Sequence, residues 1–117
     1  MFQKDMKISF LLDFYGETLS ERRREIIEMY YNEDLSLSEI AEQTGISRQG
    51  VRDSVKKSEK ELLELEETLG LAERFAKVKK ETSDISVTIS KLIDIADDET
   101  VKNSLSEIKD RLEKLEI

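Results

Sequence analysis

Cysteine, histidine and proline are absent from this sequence, and glycine occurs only four times. Without cysteine there is no disulfide and no thiol nucleophile. Without cysteine and histidine there is no zinc site of the usual kind and no triad or dyad working through an imidazole. Proline and glycine punctuate sandwiches and barrels, so their scarcity argues against an all-β fold. No uninterrupted apolar run exceeds three residues, as in Phe10-Leu11-Leu12, which is too short for a membrane span or a secretory signal. These absences predict a cytoplasmic, all-α protein that is not an enzyme, with no catalytic residue, no metal site and no cofactor.

What is present agrees with helices. The 117 residues are 38% hydrophobic and 39% charged, the second figure implying long solvated helical faces. The length suits one domain, or a small domain with a helical extension. A net charge of −8, from 19 basic and 27 acidic residues, works against indiscriminate binding to nucleic acid. Any such contact needs a local basic patch set against an unfavourable field.

Along residues 2–15, Met6, Phe10 and Phe14, and again Ile8, Leu12 and Tyr15, recur at helical spacing. Gly16 is placed to end this helix in the left-handed conformation. Ser20 offers an N-cap to a second helix that turns Ile26, Ile27, Tyr30 and Tyr31 inward and closes at Asn32-Glu33-Asp34. Ser36-Leu37-Ser38-Glu39 is a capping box, with Leu35 and Ile40 spaced as a hydrophobic staple. Gly45 stops that short helix, and Ser47 caps the next, with Ile46 and Val51 repeating the staple. Ala41 is small where the two helices would cross, and Ile40, Ile46 and Val51 are expected in their shared core, while Ser54 stands where an apolar residue is usual. Helix, glycine turn and helix over about twenty residues is a helix-turn-helix pattern. A plain helical hairpin within a bundle is the alternative.

The helix from Ser47 is expected to reach Leu69 and end at Gly70. Two heptad runs follow. Phe75, Val78, Thr82, Ile85, Ile89 and Leu92 form one, and Val101, Leu105, Ile108, Leu112 and Leu115 the other, separated by Asp97-Asp98-Glu99-Thr100. The domains expected are therefore a helix-turn-helix domain over 1–69 and an antiparallel helical hairpin over 70–117. Leu71, Ile93 and Ile95 lie off the two stripes and would stay partly exposed. They point to a homodimer held mainly by residues 71–117. A monomer whose tail folds back on the first helices is the competing expectation. The cluster Lys77, Lys79 and Lys80 reads as a solvated face.

In a helix-turn-helix the first residues of the second helix reach base edges while its flanks grip phosphate. Here the candidate nucleic-acid-binding residues are Ser47, Arg48, Gln49, Val51, Arg52, Lys56, Lys57 and Lys60. Arginine can bond bidentately to guanine and glutamine to adenine. Residues 47–60 hold five basic and two acidic side chains, a local +3, so the remainder carries −11 of the total −8. Against a DNA site, Arg48, Arg52 and Lys56 also form an ordinary solvated stripe, Gly50 weakens the first turn, and Asp53 would repel phosphate. A scaffold that holds a protein is the alternative.

The stretch Leu19–Leu62 resembles region 4 of bacterial sigma factors. The resemblance rests on Leu19-Ser20-Glu21-Arg22-Arg23, Leu37-Ser38-Glu39-Ile40-Ala41, Gly45-Ile46-Ser47-Arg48 and Val51-Arg52. In that family the second helix reads promoter DNA; this sequence departs from its pattern at Gly50, Asp53 and Ser54. Over nearly the whole length the chain is similar to the YlxM-like family of small bacterial helix-turn-helix proteins. Leu11-Leu12-Asp13-Phe14-Tyr15-Gly16, Met29-Tyr30-Tyr31, Asp34-Leu35-Ser36-Leu37 and Ile46-Ser47-Arg48-Gln49-Gly50-Val51 carry that similarity. It implies a regulatory role linked to the signal recognition particle, with DNA or a component of the particle as partner.

Overall fold

The computed structural model describes residues 4–115 and contains six α-helices, with no strand among the described residues. They are α1 (Met6–Tyr15), α2 (Glu21–Tyr31), α3 (Leu37–Thr44), α4 (Arg48–Leu69), α5 (Leu71–Ile95) and α6 (Glu99–Glu113), with a 3-10 turn at Gly16–Thr18. Two compact units meet between Ala72 and Glu73. None of the helices described is long and apolar enough to cross a membrane.

Most of the helix ends are set by local side chains. Asp5 accepts the Lys7 N–H at 2.9 Å, so α1 starts at Met6 rather than at residue 2; residues 1–3 of the expected helix lie outside the described residues. Ser20 caps α2 through the Arg23 N–H. The capping box of α3 is complete. Ser36 Oγ accepts from Glu39 N at 3.1 Å, and Ser36 N donates to Glu39 Oε1 at 3.0 Å. Ser47 caps α4 through the Gly50 N–H at 2.9 Å. Gly45 and Gly70 end α3 and α4 at φ of 76° and 62°, in the region where a side chain is strained.

Gly16 departs from expectation. Its φ is −55°, and the chain passes from α1 directly into the 3-10 turn. The left-handed residue of this region is instead Asp34, at φ 55°, whose carboxylate pairs with Lys4. That partner also lies over the Tyr30 ring, 4.6 Å from its centroid.

In the first unit α4 packs against α1, α2 and α3. Val51, Val55, Ser58 and Leu62 recur at steps of four and three, which places them on one stripe of the helix, and all four are fully buried. Ile8 and Leu11 of α1, Ile26 and Ile27 of α2, and Ile40 of α3 complete this core. Ile46 is not part of it. Its side chain stays 36% exposed and its Cδ1 lies 3.7 Å from where a Cβ on Gly50 would stand. The staple spacing therefore leaves Ile46 folded over the turn, at the rim of the core.

In the second unit α5 and α6 form the expected hairpin. Asp98 caps α6 through the Thr100 N–H at 2.8 Å, and Ser86 Oγ donates to Glu113 Oε1 at 3.5 Å across the pair. Of the heptad residues, Ile89 is buried at 7% exposure, whereas α6 contains no buried residue.

The caps generate a stability prediction. Ser36→Ala and Ser47→Ala should each cost about 1 kcal/mol, the usual loss for a serine N-cap. Gly45→Val should cost more, because a β-branched residue is poorly tolerated at positive φ. Urea melts followed by circular dichroism check the order; three melts coinciding with that of the unaltered protein would contradict these cap assignments.

Candidate nucleic-acid interface

Burial of the stripe from Val51 to Leu62 turns the opposite side of α4 to solvent. At 100° per residue, Gln49, Asp53, Lys56 and Lys60 fall roughly opposite that stripe, with Arg52 and Lys57 on its two flanks. Ser47, Arg48, Gln49, Arg52, Lys56, Lys57 and Lys60 are all exposed, and α4 brings them onto one continuous surface. Val51 is the exception among the expected binding residues. It is fully buried against the neighbouring helices, so its side chain serves packing and does not reach a ligand.

The acidic residues interleaved with these cations are occupied. Gln49 Nε2 donates to Asp53 Oδ1 at 2.9 Å, an i, i+4 pair that also orients the glutamine amide. Glu59 accepts from the Tyr31 hydroxyl, and that hydroxyl accepts the Asp5 N–H at 3.2 Å. Burial, and then the hydrogen bond to Glu59, push the Tyr31 hydroxyl well above the usual phenol range. Glu61 forms a two-point pair with Arg23, at 3.1 Å from Nη1 and 2.7 Å from Nη2. The outer surface of the first four turns of α4 thus keeps its positive balance, while Glu59 and Glu61 serve contacts between helices.

The sequence gives no local sign of the Arg23 contact. Its Nε donates to Ser58 Oγ at 3.2 Å, and Ser58 is the one buried polar residue on the stripe. A serine at a stripe position, with an arginine on a facing helix, is the signal that could have found it. Arg22 Nη2 reaches the Thr44 carbonyl at 2.7 Å and joins the start of α2 to the end of α3. At the other end of α4, the Tyr15 hydroxyl donates to Glu66 Oε1 at 2.7 Å and accepts the Leu71 N–H at 3.1 Å. Glu66 Oε1 also accepts the Ala72 N–H at 3.0 Å, so the first turn of α5 is capped by side chains from α1 and α4. Among the described residues no three carboxylates gather closely enough to hold a metal ion.

The Arg23 pair carries a pH dependence with a definite sign. The Arg23 guanidinium holds the Glu61 carboxyl below its usual range. A depressed folded pKa contributes stability above the unfolded value, about 4.3, and that contribution is lost as pH falls through the folded value. Arg23→Ala should therefore destabilise by about 2 kcal/mol at pH 7, through the lost charged hydrogen bonds and the stranded Ser58 hydroxyl. The gap from the unaltered protein should narrow near pH 3. Urea melts at both pH values measure it; a gap that is unchanged or wider in acid would contradict the assignment.

Known proteins place this arrangement. The family described as "Putative helix-turn-helix protein, YlxM / p13 like" matches residues 2–103. A UPF0122 protein of Acetivibrio thermocellus is 40% identical over 114 residues, 96% of either chain. One from Listeria welshimeri is 35% identical over 109 residues, 93% of this chain and 97% of that one. A UPF0122 protein of Desulforamulus reducens is 50% identical over 74 residues, which span 63% of each chain. With the match running through all four helices of the first unit and most of the hairpin, the chain belongs to the UPF0122 family of YlxM / p13-like helix-turn-helix proteins.

Proposed function

We propose that this protein is a cytoplasmic DNA-binding regulator that works as a homodimer and has no enzymatic activity. The observation that carries the reading is the coincidence of two features on α4. It is the second helix of the helix-turn-helix, and its outward face holds the local +3 in a chain of net −8. Arg48 and Gln49 stand in its first turn, where base edges come within reach, and Arg52, Lys56, Lys57 and Lys60 follow as phosphate contacts. The Asp53 partner of Gln49 limits how closely phosphate approaches that turn.

Titration of the protein with a labelled pool of random duplexes tests the reading. Arg48→Ala with Arg52→Ala should weaken binding at least tenfold and lower the salt slope by about 2, one unit per lost phosphate contact. Gln49→Ala should flatten the preference among sequences with less loss of overall affinity. A double arginine variant that binds as the unaltered protein does would remove α4 as the reader.

A second reading is favoured by the −11 carried outside residues 47–60, which opposes a long DNA footprint. In it the same helix holds a protein or ribonucleoprotein of the signal recognition particle, the pathway that the sequence resemblance implies. Affinity capture at two salt concentrations, assayed for DNA and for particle RNA and protein, separates the two.

Pairing of two chains is supported by the hairpin. Its heptad residues Ile85, Leu92, Val101 and Ile108 remain 42–47% exposed, too open for the interior of a finished coiled coil. Light scattering at tens of micromolar should give twice the chain mass, and Ile108→Glu should reduce it to one. A full-length monomer would contradict the pairing.

A further inference from the structure

We infer that the hairpins of two chains pair antiparallel, the turn of one lying against the open end of the other. This rests on the homodimer reading above and specifies its partner and its sense.

The first observation is a division within the heptads. On α5, Phe75, Thr82 and Ile89 form one column and Val78, Ile85 and Leu92 the next. The first column contains the buried Ile89, at 7% exposure; in the second, Ile85 and Leu92 stay at 44% and 42%. On α6, Leu105 and Leu112 are half-buried, while Val101, Ile108 and Leu115 recur every seven residues at 46%, 47% and 59%. Each helix thus covers one column within its own chain and leaves one open. An open groove of about 360 Å³, lined on its apolar side by Val87, Leu112 and Leu115, runs beside them. A periodic stripe at heptad spacing is matched by another helix with the same period, and a second copy supplies one.

The second observation sets the direction. Asp94, Asp97, Asp98 and Glu99 crowd the turn of the hairpin, and no cation lies between them in sequence, which leaves −4 over 94–99. The open end, residues 73–80 and 109–115, holds seven basic and three acidic side chains, or +4. Two of those acids already pair within their own helix, Glu73 with Lys77 at 3.3 Å and Glu113 with Lys109 at 3.9 Å. A two-fold axis perpendicular to the helices brings each acidic turn to a basic end. An axis parallel to them sets four carboxylates against four, within the screening length of about 8 Å at physiological salt. Surface pairs add little affinity, but they select among docking orientations, and here they select the antiparallel one.

The sense has a consequence for a two-site ligand. At 1.5 Å per residue α5 is about 37 Å long, so antiparallel pairing makes the two chains enter the pair about that far apart. One turn of duplex DNA separates successive half-sites by roughly 34–36 Å. Parallel pairing would bring the two points to within roughly 10 Å, the distance between packed helices.

Because the chain has no cysteine, a spin label can be attached to the full-length protein at one chosen position. Pulsed dipolar spectroscopy on Ile95→Cys, at the turn, should give a distance between copies of about 30 Å or more. Asp84→Cys, near the middle of α5, should give less than about 20 Å. A short distance at both positions means parallel pairing and overturns this inference while leaving the dimer standing. No coupling at either position overturns the dimer as well. In a charge-swap mixture, chains carrying Asp94→Lys with Asp97→Lys should pair with chains carrying Lys77→Glu with Lys80→Glu at least tenfold more often than with themselves. Indifferent pairing would also overturn it.

Discussion

Everything in the first unit is arranged around one stripe of α4. Val51, Val55 and Leu62 are buried to the last atom, and α1, α2 and α3 each lay apolar residues against the same helix. Burying one such side chain is worth roughly 1.5–3 kcal/mol, so three of them outweigh any single cap or ion pair in the unit. The stripe also contains one polar group, Ser58. Its hydroxyl is satisfied by Arg23, whose guanidinium then meets Glu61. A lone polar position of this kind contributes orientation, since only one placement of α2 on α4 satisfies it.

The outward chemistry of α4 follows from that inward commitment. A helix with Val51, Val55, Ser58 and Leu62 inside must present Gln49, Asp53, Lys56 and Lys60 outside, because 3.6 residues per turn leave no other choice. The acids that would cancel the cations are drawn elsewhere. Glu59 goes to Tyr31, Glu61 to Arg23, and Asp53 to Gln49. A chain that is acidic as a whole thereby keeps a positive ridge where a helix-turn-helix would meet its ligand, and the acidic background keeps non-specific attraction low.

Local features were the readable ones. The Ser36 box, the Ser47 cap, the left-handed Gly45 and Gly70, and the Asp98 cap each involve side chains and amides within a few residues, so spacing alone identifies them. Features decided by distant partners were not. Gly16 resembles a helix stop in isolation, but the chain continues there as a 3-10 turn that carries Leu19 into the core. Ile46 and Val51 have staple spacing, yet only Val51 is enclosed, so the same residue could not also belong to the binding surface. The pairs Arg23 with Glu61 and Tyr31 with Glu59 join residues 38 and 28 apart, beyond the reach of any periodicity. In the hairpin, periodicity identified both stripes but could not say which column the chain covers by itself.

The ridge on α4 is the central claim, and it can be watched residue by residue. In an isotopically labelled sample titrated with a pool of random duplexes, amide shifts should move first and furthest at Arg48, Gln49, Arg52, Lys56, Lys57 and Lys60. Amides of α6 should stay in place, and the changes should fade as salt rises. Shifts confined to the hairpin, or none at any salt concentration, would contradict a DNA-facing α4.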